Sequence, residues 1–283
     1  MDYKLPKLPE RKQNSNKGTF GKVLNISGSD YMTGAAYLSS VAALKVGAGY
    51  VELLSSERVL NVTSKLAPEV VLAHISKLEK AINDSTVISI GCGLSTLNEA
   101  VMLFKKVLKL RKNQPIIIDA DGLNILSEME FDFDKKAILT PHPKEASRLL
   151  NLPLEDVLMD TKTSALQISE KYNCITVLKT HQTFITDRKS FYQNNTGNSA
   201  LAKAGSGDVL CGMITGFVAQ GMNLFDASAL GVYLHGLSGE LAAKNLSEYG
   251  VLASDTLRYI PFAIKNYLDS MLRFWPTGPC EFL

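Results

Sequence analysis

The sequence predicts an α/β protein, a three-layer α-β-α sandwich with a mostly parallel central sheet. Short, nearly continuous apolar runs alternate along the chain with longer amphipathic segments, a pattern typical of parallel strands that are buried on both faces. Several of these runs are rich in β-branched residues and end at glycine or an acidic residue. No linker rich in proline, glycine or serine interrupts the alternation, so a single domain is the simpler interpretation.

The apolar runs predict six strands, each bounded by polar or turn-forming residues. In chain order they are 22–28, 50–55, 85–91, 114–120, 136–140 and 174–180. Helical periodicity covers 34–49, 97–110, a stretch around 154–172, and most of the chain from 207 onward.

Both ends of the chain depart from this alternation. Residues 1–16 are polar, contain two prolines and show no periodicity, which predicts an extended N-terminal arm. The main domain is expected at 17–270. A tail at 271–283 carries the only tryptophan, Trp275, and is expected to be disordered or to pack against a neighbouring subunit.

The composition excludes several classes of protein. The hydrophobic fraction of 46% and the charged fraction of 20% are ordinary for a soluble globular protein, and a net charge of +2 provides no strong field for nucleic acid or a membrane surface. No apolar stretch approaches the roughly 20 residues of a membrane-spanning helix. Cysteines 92, 174, 211 and 280 are widely spaced, without zinc-binding spacing or a signal peptide, so reduced thiols in the cytoplasm are expected.

The loops at the carboxyl ends of the predicted strands are the expected place for a ligand. Each loop is rich in glycine, hydroxyl groups or charge; they are 28–36, 91–95, 119–124, 140–145 and 179–183. Other motifs fail. The sequence GTFGK at 18–22 precedes a strand instead of following one, and the two GxG stretches lack the third glycine of a dinucleotide site. Neither a GxSxG elbow nor an HExxH motif is present.

The stretch KAGSGDVLCG at 203–212 gives the strongest signal. Its small residues stand at the start of an apolar helix, where free N–H groups and the helix dipole bind anions and glycine lets a phosphate approach. A carboxylate at Asp208 would repel that phosphate, so a binding role alone is disfavoured. Asp208 fits a base that removes a proton from a hydroxyl attacking the phosphate. Alternatively, Asp208 simply caps the helix.

Other polar residues in the strand-end loops have two interpretations each. His142, between two prolines, belongs to a structural turn or contacts a ligand. Asp119 and Asp121 cap the next helix or bind a metal–phosphate group, and Lys179 neutralises a phosphate or is a solvated strand end. The basic run at 105–112 is better explained by the helix dipole than by nucleic-acid binding.

Taken in order, these motifs resemble one family. The chain resembles the ADP/ATP-dependent NAD(P)H-hydrate dehydratases of the ribokinase-like superfamily in five segments, KGTFGKVLNISGSDYMTGAAYLSSVAALKVGAGYV, GCGLS, DADGLN, TPHPKEASRLL and NTGNSALAKAGSGDVLCGMITG. The resemblance runs from about residue 17 to about residue 265. The GSGD turn alone indicates only the superfamily, because sugar and vitamin kinases share it, whereas the combination of motifs is more specific.

The resemblance implies a hydro-lyase that repairs nicotinamide cofactors. Such an enzyme acts on the S-epimer of hydrated NADH or NADPH, which carries a hydroxyl at C6 of the reduced ring. A phosphoryl group passes from ADP (or ATP) to this hydroxyl with Mg2+ present, and elimination of phosphate regenerates the cofactor.

The resemblance also assigns roles to residues near the GSGD turn. Asp208 would activate the substrate hydroxyl, and Gly205, Ser206 and Gly207 would form the anion hole around the phosphoryl group, with Gly207 also near the nucleotide. The segment expected to contact the adenine nucleotide consists of Lys179, Thr180, His181, Gln182 and Thr183.

The hydrated nicotinamide is assigned to a second group of residues. Ala36, with Ala35 beside it as a further candidate, Gly93 and His142 match positions that line its pocket. The resemblance assigns no metal ligand. Asp119 and Asp121 are candidates for contact with the bound ligand through Mg2+ or water.

The chain also departs from the family. The segment KTHQT lacks the glycine expected after its lysine, which leaves the choice between ADP and ATP open. The few residues before the first motif imply that the enzyme acts on one epimer and needs a separate NAD(P)H-hydrate epimerase for the other. The stand-alone form implies a homo-oligomer, a tetramer. The alternatives are a small-molecule kinase for hydroxymethylpyrimidine, hydroxyethylthiazole or a sugar, and a protein that binds nucleotide without catalysis.

Overall fold

The computed structural model describes residues 3–274, and side chains as far as residue 271. Within this range nine strands form one sheet. In chain order they are β1 (Lys22–Ile26), β2 (Tyr50–Ser55), β3 (Val71–His74), β4 (Val87–Ile90), β5 (Ile116–Ile118), β6 (Ala137–Leu139), β7 (Ile175–Leu178), β8 (Phe184–Thr186) and β9 (Phe191–Gln193).

The strands lie in the order β3-β2-β1-β4-β5-β6-β7-β8-β9. Strands β1 to β7 are parallel, and β8 and β9 extend the sheet as antiparallel strands. All seven parallel strands therefore end at the same edge of the sheet, where a ligand site is expected.

Helices cover both faces of this sheet. They are α1 (Thr33–Lys45), α2 (Glu57–Leu66), α3 (Leu78–Asp84), α4 (Asn98–Leu110), α5 (Asp121–Leu126), α6 (Pro143–Leu150), α7 (Leu154–Met159), α8 (Thr161–Tyr172), α9 (Ser206–Ala219), α10 (Leu224–Gly250) and α11 (Ala253–Phe274). Short 3-10 turns occupy Lys17–Phe20, Ile75–Lys77 and Ser199–Leu201. Among the described residues, no helix is both long and apolar enough to cross a bilayer.

Alternate residues of each strand enter two separate cores. Val23 and Ile117 pack on one face, with α1, α9, α10 and α11, whereas Leu24, Ile116 and Ile118 pack on the other, with α3, α4, α6 and α8. This division follows from the alternating direction of side chains along a strand. It confirms the predicted three-layer sandwich with a mostly parallel sheet.

Each of the six predicted strands is present, but the structure adds three strands and one helix break. Strand β3 is a half-exposed edge strand. Strands β8 (FIT) and β9 (FYQ) each include a polar residue, so neither shows the continuous apolar run of the equally short β5 (III) and β6 (AIL). The helical stretch expected around 154–172 is divided into α7 and α8 at Asp160. The side chain of Asp160 accepts a hydrogen bond from the Thr163 N–H at 2.9 Å and so starts a new helix.

Helix α9 lies unusually close to α1. A Cβ added at Gly212 would lie 2.1 Å from the Ser39 carbonyl oxygen, and one added at Gly216 would lie 2.6 Å from the carbonyl oxygen of Ala43. Only glycine permits this distance between the two backbones. The contact fixes the first turn of α9 beside the carboxyl edge of the sheet.

Residues 3–16 cross the domain surface without helix or strand. The ring of Tyr3 packs edge-on against Tyr192 and Phe225, with centroids 5.6 and 5.1 Å away. The hydroxyl of Tyr267 donates a hydrogen bond to the Pro6 carbonyl at 2.8 Å. At the other end, α11 continues into the segment expected as a tail, and Trp275 lies outside the described residues.

Candidate active site

Three charged side chains from different loops meet at the carboxyl edge of the sheet. Lys179 follows β7, Asp119 follows β5 and Glu145 lies in the first turn of α6. The Lys179 Nζ lies 2.6 Å from Asp119 Oδ1 and 3.9 Å from Glu145 Oε2. Both carboxylates are buried, with side chains 2% and 5% exposed. The sequence predicted the region of Lys179 and Asp119, but not their ion pair.

The burial of this cluster shifts its pKa values. Burial raises the pKa of Glu145 to about 7, although the positive charge of Lys179 opposes the shift. Burial alone would lower the pKa of Lys179, but Asp119 and Glu145 outweigh it and the pKa lies above its ordinary value. Lys179 is therefore a fixed cation whose charge is available at the site.

Asp208 lies at the third position of α9. The N-cap position belongs to Gly205, whose φ of 89° is left-handed and favours glycine. Burial, followed by the negative charge of Asp119, raises the pKa of Asp208 to about 6, while a hydrogen bond with Cys92 and the charge of Lys179 oppose the shift. A carboxylate with this pKa is ionised at neutral pH but binds a proton more readily than an exposed aspartate.

His142 has the structural role that the sequence offered as one interpretation, while its contact with a ligand stays a prediction. Its Nδ1 accepts hydrogen bonds from the N–H groups of Lys144 and Glu145 at 3.1 and 3.4 Å, which makes it the N-cap of α6. Partial burial, followed by the positive charge of Lys179, lowers the pKa of His142, so its ring is neutral at pH 7. The same ring lines the cavity described next.

A cavity of about 850 Å³ opens beside the first turn of α9. Seven of the residues expected at the site line it: His142, Lys179, Thr180, His181, Thr183, Ser206 and Gly207. Gln182 belongs to the expected nucleotide segment but does not line the cavity. Its Oε1 instead accepts a hydrogen bond from Gln193 on β9 at 2.8 Å.

The cavity also has polar residues that sequence reasoning missed. They include Asn194, Thr196, Asn198, Lys203 and His235. His235 is buried within α10, and its Nε2 lies 3.2 Å from Ser206 Oγ. Burial lowers the pKa of His235 to about 4, so the ring is neutral and holds the Ser206 hydroxyl at the start of α9. The apolar sequence around His235 gave no sign of this contact.

Of the expected nicotinamide residues, Ala36 and Gly93 lie where the segments after β1 and β4 meet, whereas His142 follows β6. The Gly28 N–H donates a hydrogen bond to the Cys92 carbonyl at 2.8 Å. A Cβ added at Gly93 would lie 2.8 Å from the Ala35 Cβ, so only glycine lets these loops approach. Ala36 is fully buried beneath them, whereas Ala35 is partly exposed.

The two aspartates after β5 have different environments. Asp121 Oδ2 accepts a hydrogen bond from the Ser95 N–H at 2.8 Å, which holds the loop after β4. Asp119 Oδ1 binds Lys179, while its Oδ2 faces Gly207, where an added Cβ would lie 3.6 Å away. The site thus brings together the carboxylate of Asp208, the partly buried cation of Lys179 and the start of helix α9, an arrangement compatible with the transfer of a phosphoryl group.

Comparison with known proteins gives a consistent result. The family model described as NAD(P)H-hydrate dehydratase matches residues 23–262. An ADP-dependent (S)-NAD(P)H-hydrate dehydratase from Neisseria meningitidis is 35% identical over 253 residues, covering 87% of this chain and 85% of that protein. A bifunctional NAD(P)H-hydrate repair enzyme from Coxiella burnetii is 36% identical over 260 residues, covering 90% of this chain and 53% of its own length. The chain spans about half the length of such bifunctional relatives.

Solved structures agree with the observed fold. An ADP/ATP-dependent NAD(P)H-hydrate dehydratase from Bacillus subtilis, co-crystallised with ATP/Mg2+, superposes with a TM-score of 0.83 at 32% identity, covering 92% of this chain and 94% of that one. A hydroxyethylthiazole kinase from Pyrococcus horikoshii superposes with a TM-score of 0.64 at 15% identity, a likeness of fold alone.

Proposed function

Because the chain belongs to the NAD(P)H-hydrate dehydratase family, we propose that its site dehydrates the S-epimer of hydrated NADH or NADPH, with ADP or ATP as the phosphoryl donor. The observation that carries the proposal is the place of Asp208, a partly buried carboxylate with a raised pKa in the first turn of α9. A base is needed there only if a hydroxyl must be activated beside the phosphate.

In the first step, Asp208 takes the proton of the C6 hydroxyl as its oxygen attacks the terminal phosphorus of the nucleotide. The bond from that phosphorus to the bridging oxygen breaks, and AMP leaves when ADP is the donor. The N–H groups at Ser206 and Gly207 hold the transferring oxygens, and Lys179 offsets their negative charge. The cavity beside these residues accommodates the rest of the nucleotide.

In the second step, the C6–O bond of the phosphate ester breaks. The electron pair of the ring nitrogen assists the departure of phosphate, and loss of the C5 proton restores the double bond of NADH or NADPH. Phosphorylation matters because phosphate is a far better leaving group than hydroxide. His142 and the loop around Gly93 are the groups we place against the nicotinamide ring.

Mg2+ fits this site in its donor chemistry. Asp119 Oδ2 lies 3.6 Å from the position of a Cβ added at Gly207, and the pKa of Asp208 is raised by burial and by the negative charges of Asp119 and Asp121. Magnesium is commonly bound by one or two carboxylates together with nucleotide phosphates. Bound there, it would neutralise phosphate charge. We propose Asp119 and Asp121 as its protein ligands.

The first test is recovery of NADH fluorescence from hydrated NADH, with ADP and ATP in parallel and magnesium present. Recovery with one AMP and one phosphate for each ADP consumed supports the proposal and identifies the donor. A phosphorylated product that persists without NADH formation would instead indicate a small-molecule kinase. Neither product, with protein shown to be folded, would contradict both.

We expect kcat/KM to fall at acid pH with an apparent pKa of about 6. The raised pKa of Asp208 means that the base becomes protonated, and therefore inactive, as the pH falls through about 6, whereas an exposed aspartate would titrate near 4. The measurement is the pH profile of NADH formation. Glu145 lies nearby and has a pKa of about 7, so Glu145→Gln is the control. In this variant kcat/KM should still fall at acid pH with an apparent pKa of about 6. An apparent pKa near 4 would contradict the assignment of Asp208 as the base.

His235 is expected to position Ser206 for the nucleotide. Replacing it with leucine removes the partner of the Ser206 hydroxyl, a hydrogen bond worth about 0.5–1.5 kcal/mol, so the KM for the nucleotide should rise about 2- to 12-fold. His235→Gln can restore a polar group near the Nε2 position and should recover much of this loss. Equal nucleotide KM values in the leucine variant and the unmodified enzyme would exclude the role.

The proposed function also implies a partner enzyme, a cellular location and an oligomeric state. We propose that the enzyme works with an NAD(P)H-hydrate epimerase, consistent with the bifunctional names of several relatives, and that it acts in the cytoplasm as a homotetramer. Light scattering of the purified protein tests the tetramer, and a mixture of both epimers tests the need for the epimerase.

A further inference from the structure

Two of the widely spaced cysteines meet beside the active site. The Sγ atoms of Cys92 and Cys211 and one carboxylate oxygen of Asp119 all lie within 4.8 Å of one another. Cys92 Sγ lies 3.8 Å from Asp119 Oδ2. All three residues are at most 2% exposed.

Each of the three residues sits on a well-fixed part of the fold. Cys92 follows β4, between two glycines with positive φ, and Asp119 follows the neighbouring strand β5. Cys211 is in the second turn of α9, the helix whose glycines hold it against α1. The cluster is therefore held by the central sheet and the most tightly packed helix, not by a surface loop.

The donor atoms suit a cation that prefers sulfur. In a tetrahedral zinc site, bond lengths of about 2.3 Å to sulfur and about 2.0 Å to oxygen place neighbouring ligand atoms about 3.5–3.8 Å apart. The distance from Cys92 Sγ to Asp119 Oδ2, 3.8 Å, matches this spacing, and all three ligand atoms lie within 4.8 Å of one another. Thiolates favour Zn2+ and Co2+ over Mg2+ or Ca2+.

We propose that Cys92, Cys211 and Asp119 form a binding site for a thiophilic divalent cation, with Zn2+ as the first candidate, and that its occupation inhibits the enzyme. The cation would draw Asp119 away from Lys179 and would place positive charge beside Asp208, which then no longer acts as a base. Binding converts the two thiols to thiolates and releases their protons to solvent, so affinity should increase with pH. The inhibitory part rests on the proposed dehydratase activity; the binding part does not.

Binding is tested with Co2+ on the full chain, untagged, reduced, stripped with a chelator and carrying Cys280→Ser. We expect thiolate-to-cobalt charge-transfer absorption that saturates at about one Co2+ per chain and is removed by Zn2+. Cys92→Ser and Cys211→Ser should each lose this absorption. Cys174→Ser is the matched control, because Cys174 is equally buried but not part of the cluster, and it should keep the absorption.

Inhibition is measured as the ratio of turnover with and without Zn2+ for each variant, with free zinc set by a metal buffer. At saturation we expect a loss of about 100-fold, as for a lost general base, in the parent and in Cys174→Ser. In Cys92→Ser and Cys211→Ser the ratio should stay near one. If either serine variant fails to fold, Cys211→Ala takes its place and melting temperature with and without Zn2+ is the readout.

Absence of charge-transfer absorption in the parent, or its survival in both serine variants, would overturn the site. Binding without a change in turnover would overturn the inhibition. If no dehydratase activity is found, the cobalt absorption and stoichiometry still decide whether the site exists.

Discussion

Asp208→Asn is expected to lower kcat for NADH formation by about 10²- to 10⁴-fold, the usual contribution of a general base. Asparagine has nearly the same shape but cannot accept the hydroxyl proton. Nucleotide affinity should change by less than about threefold, because the N–H groups of the helix start hold the phosphates. Asp269→Asn, an exposed aspartate near the end of α11, is the matched control and should leave kcat unchanged.

The same variant is expected to be more stable than the parent at pH 8. The pKa of Asp208 is raised in the folded state, so its contribution to stability is greatest when it is protonated and is lost as the pH rises through about 6. Above that pH the buried charge destabilises the fold by about 1–2 kcal/mol, given 1.36 kcal/mol per pKa unit and some screening. Asparagine removes this charge, so the melting temperature should rise by a few degrees at pH 8 and little at pH 4.

Wild-type turnover in Asp208→Asn would exclude the proposed mechanism. Loss of turnover together with loss of nucleotide binding would instead point to a damaged helix start. A melting temperature that falls at pH 8 would show that Asp208 stabilises the native state, which contradicts the environment that raises its pKa.

The sequence predicted the site best where local chemistry demands a particular residue. The GSGD turn made Asp208 a candidate because glycine and serine at the start of a helix favour anion binding, and the structure places this turn at the start of α9. In the same way, continuous apolar runs identified the buried parallel strands. Strands β8 and β9 were not predicted because each includes a polar residue and shows no continuous apolar run. Their place at the sheet edge depends on pairing of β8 with β7 and of β9 with β8.

What could not be predicted depends on contacts between distant segments. Cys92 and Cys211 are unremarkable in sequence, and only the packing of α9 against the strand ends brings their sulfur atoms together. His235 lies in an apolar helix that gives no reason to expect a hydrogen bond with Ser206. The raised pKa of Glu145 arises from burial beside Asp119, which depends on the packing of the folded chain.

Lys179→Met is expected to destabilise the fold more than any other single change at the site. Methionine fills a similar volume but leaves the buried carboxylates of Asp119 and Glu145 without their cation. Removing one partner of a buried ion pair costs about 3–5 kcal/mol, so the melting temperature should fall by roughly 10 °C. Turnover should fall as well, since the phosphoryl group loses a fixed positive charge.

Two further variants test whether unpaired carboxylates cause the loss of stability and whether the missing charge of Lys179 causes the loss of turnover. Lys136→Met removes an exposed lysine, 41% accessible and 4.0 Å from Asp134 Oδ2, and should cost less than about 1 kcal/mol. Lys179→Met combined with Asp119→Asn removes both members of the shorter pair and should regain much of the lost stability, but not the turnover. If the double variant is no more stable than Lys179→Met, the instability comes from lost packing and not from an unpaired carboxylate. Regained turnover would show that phosphoryl transfer does not need the charge of Lys179.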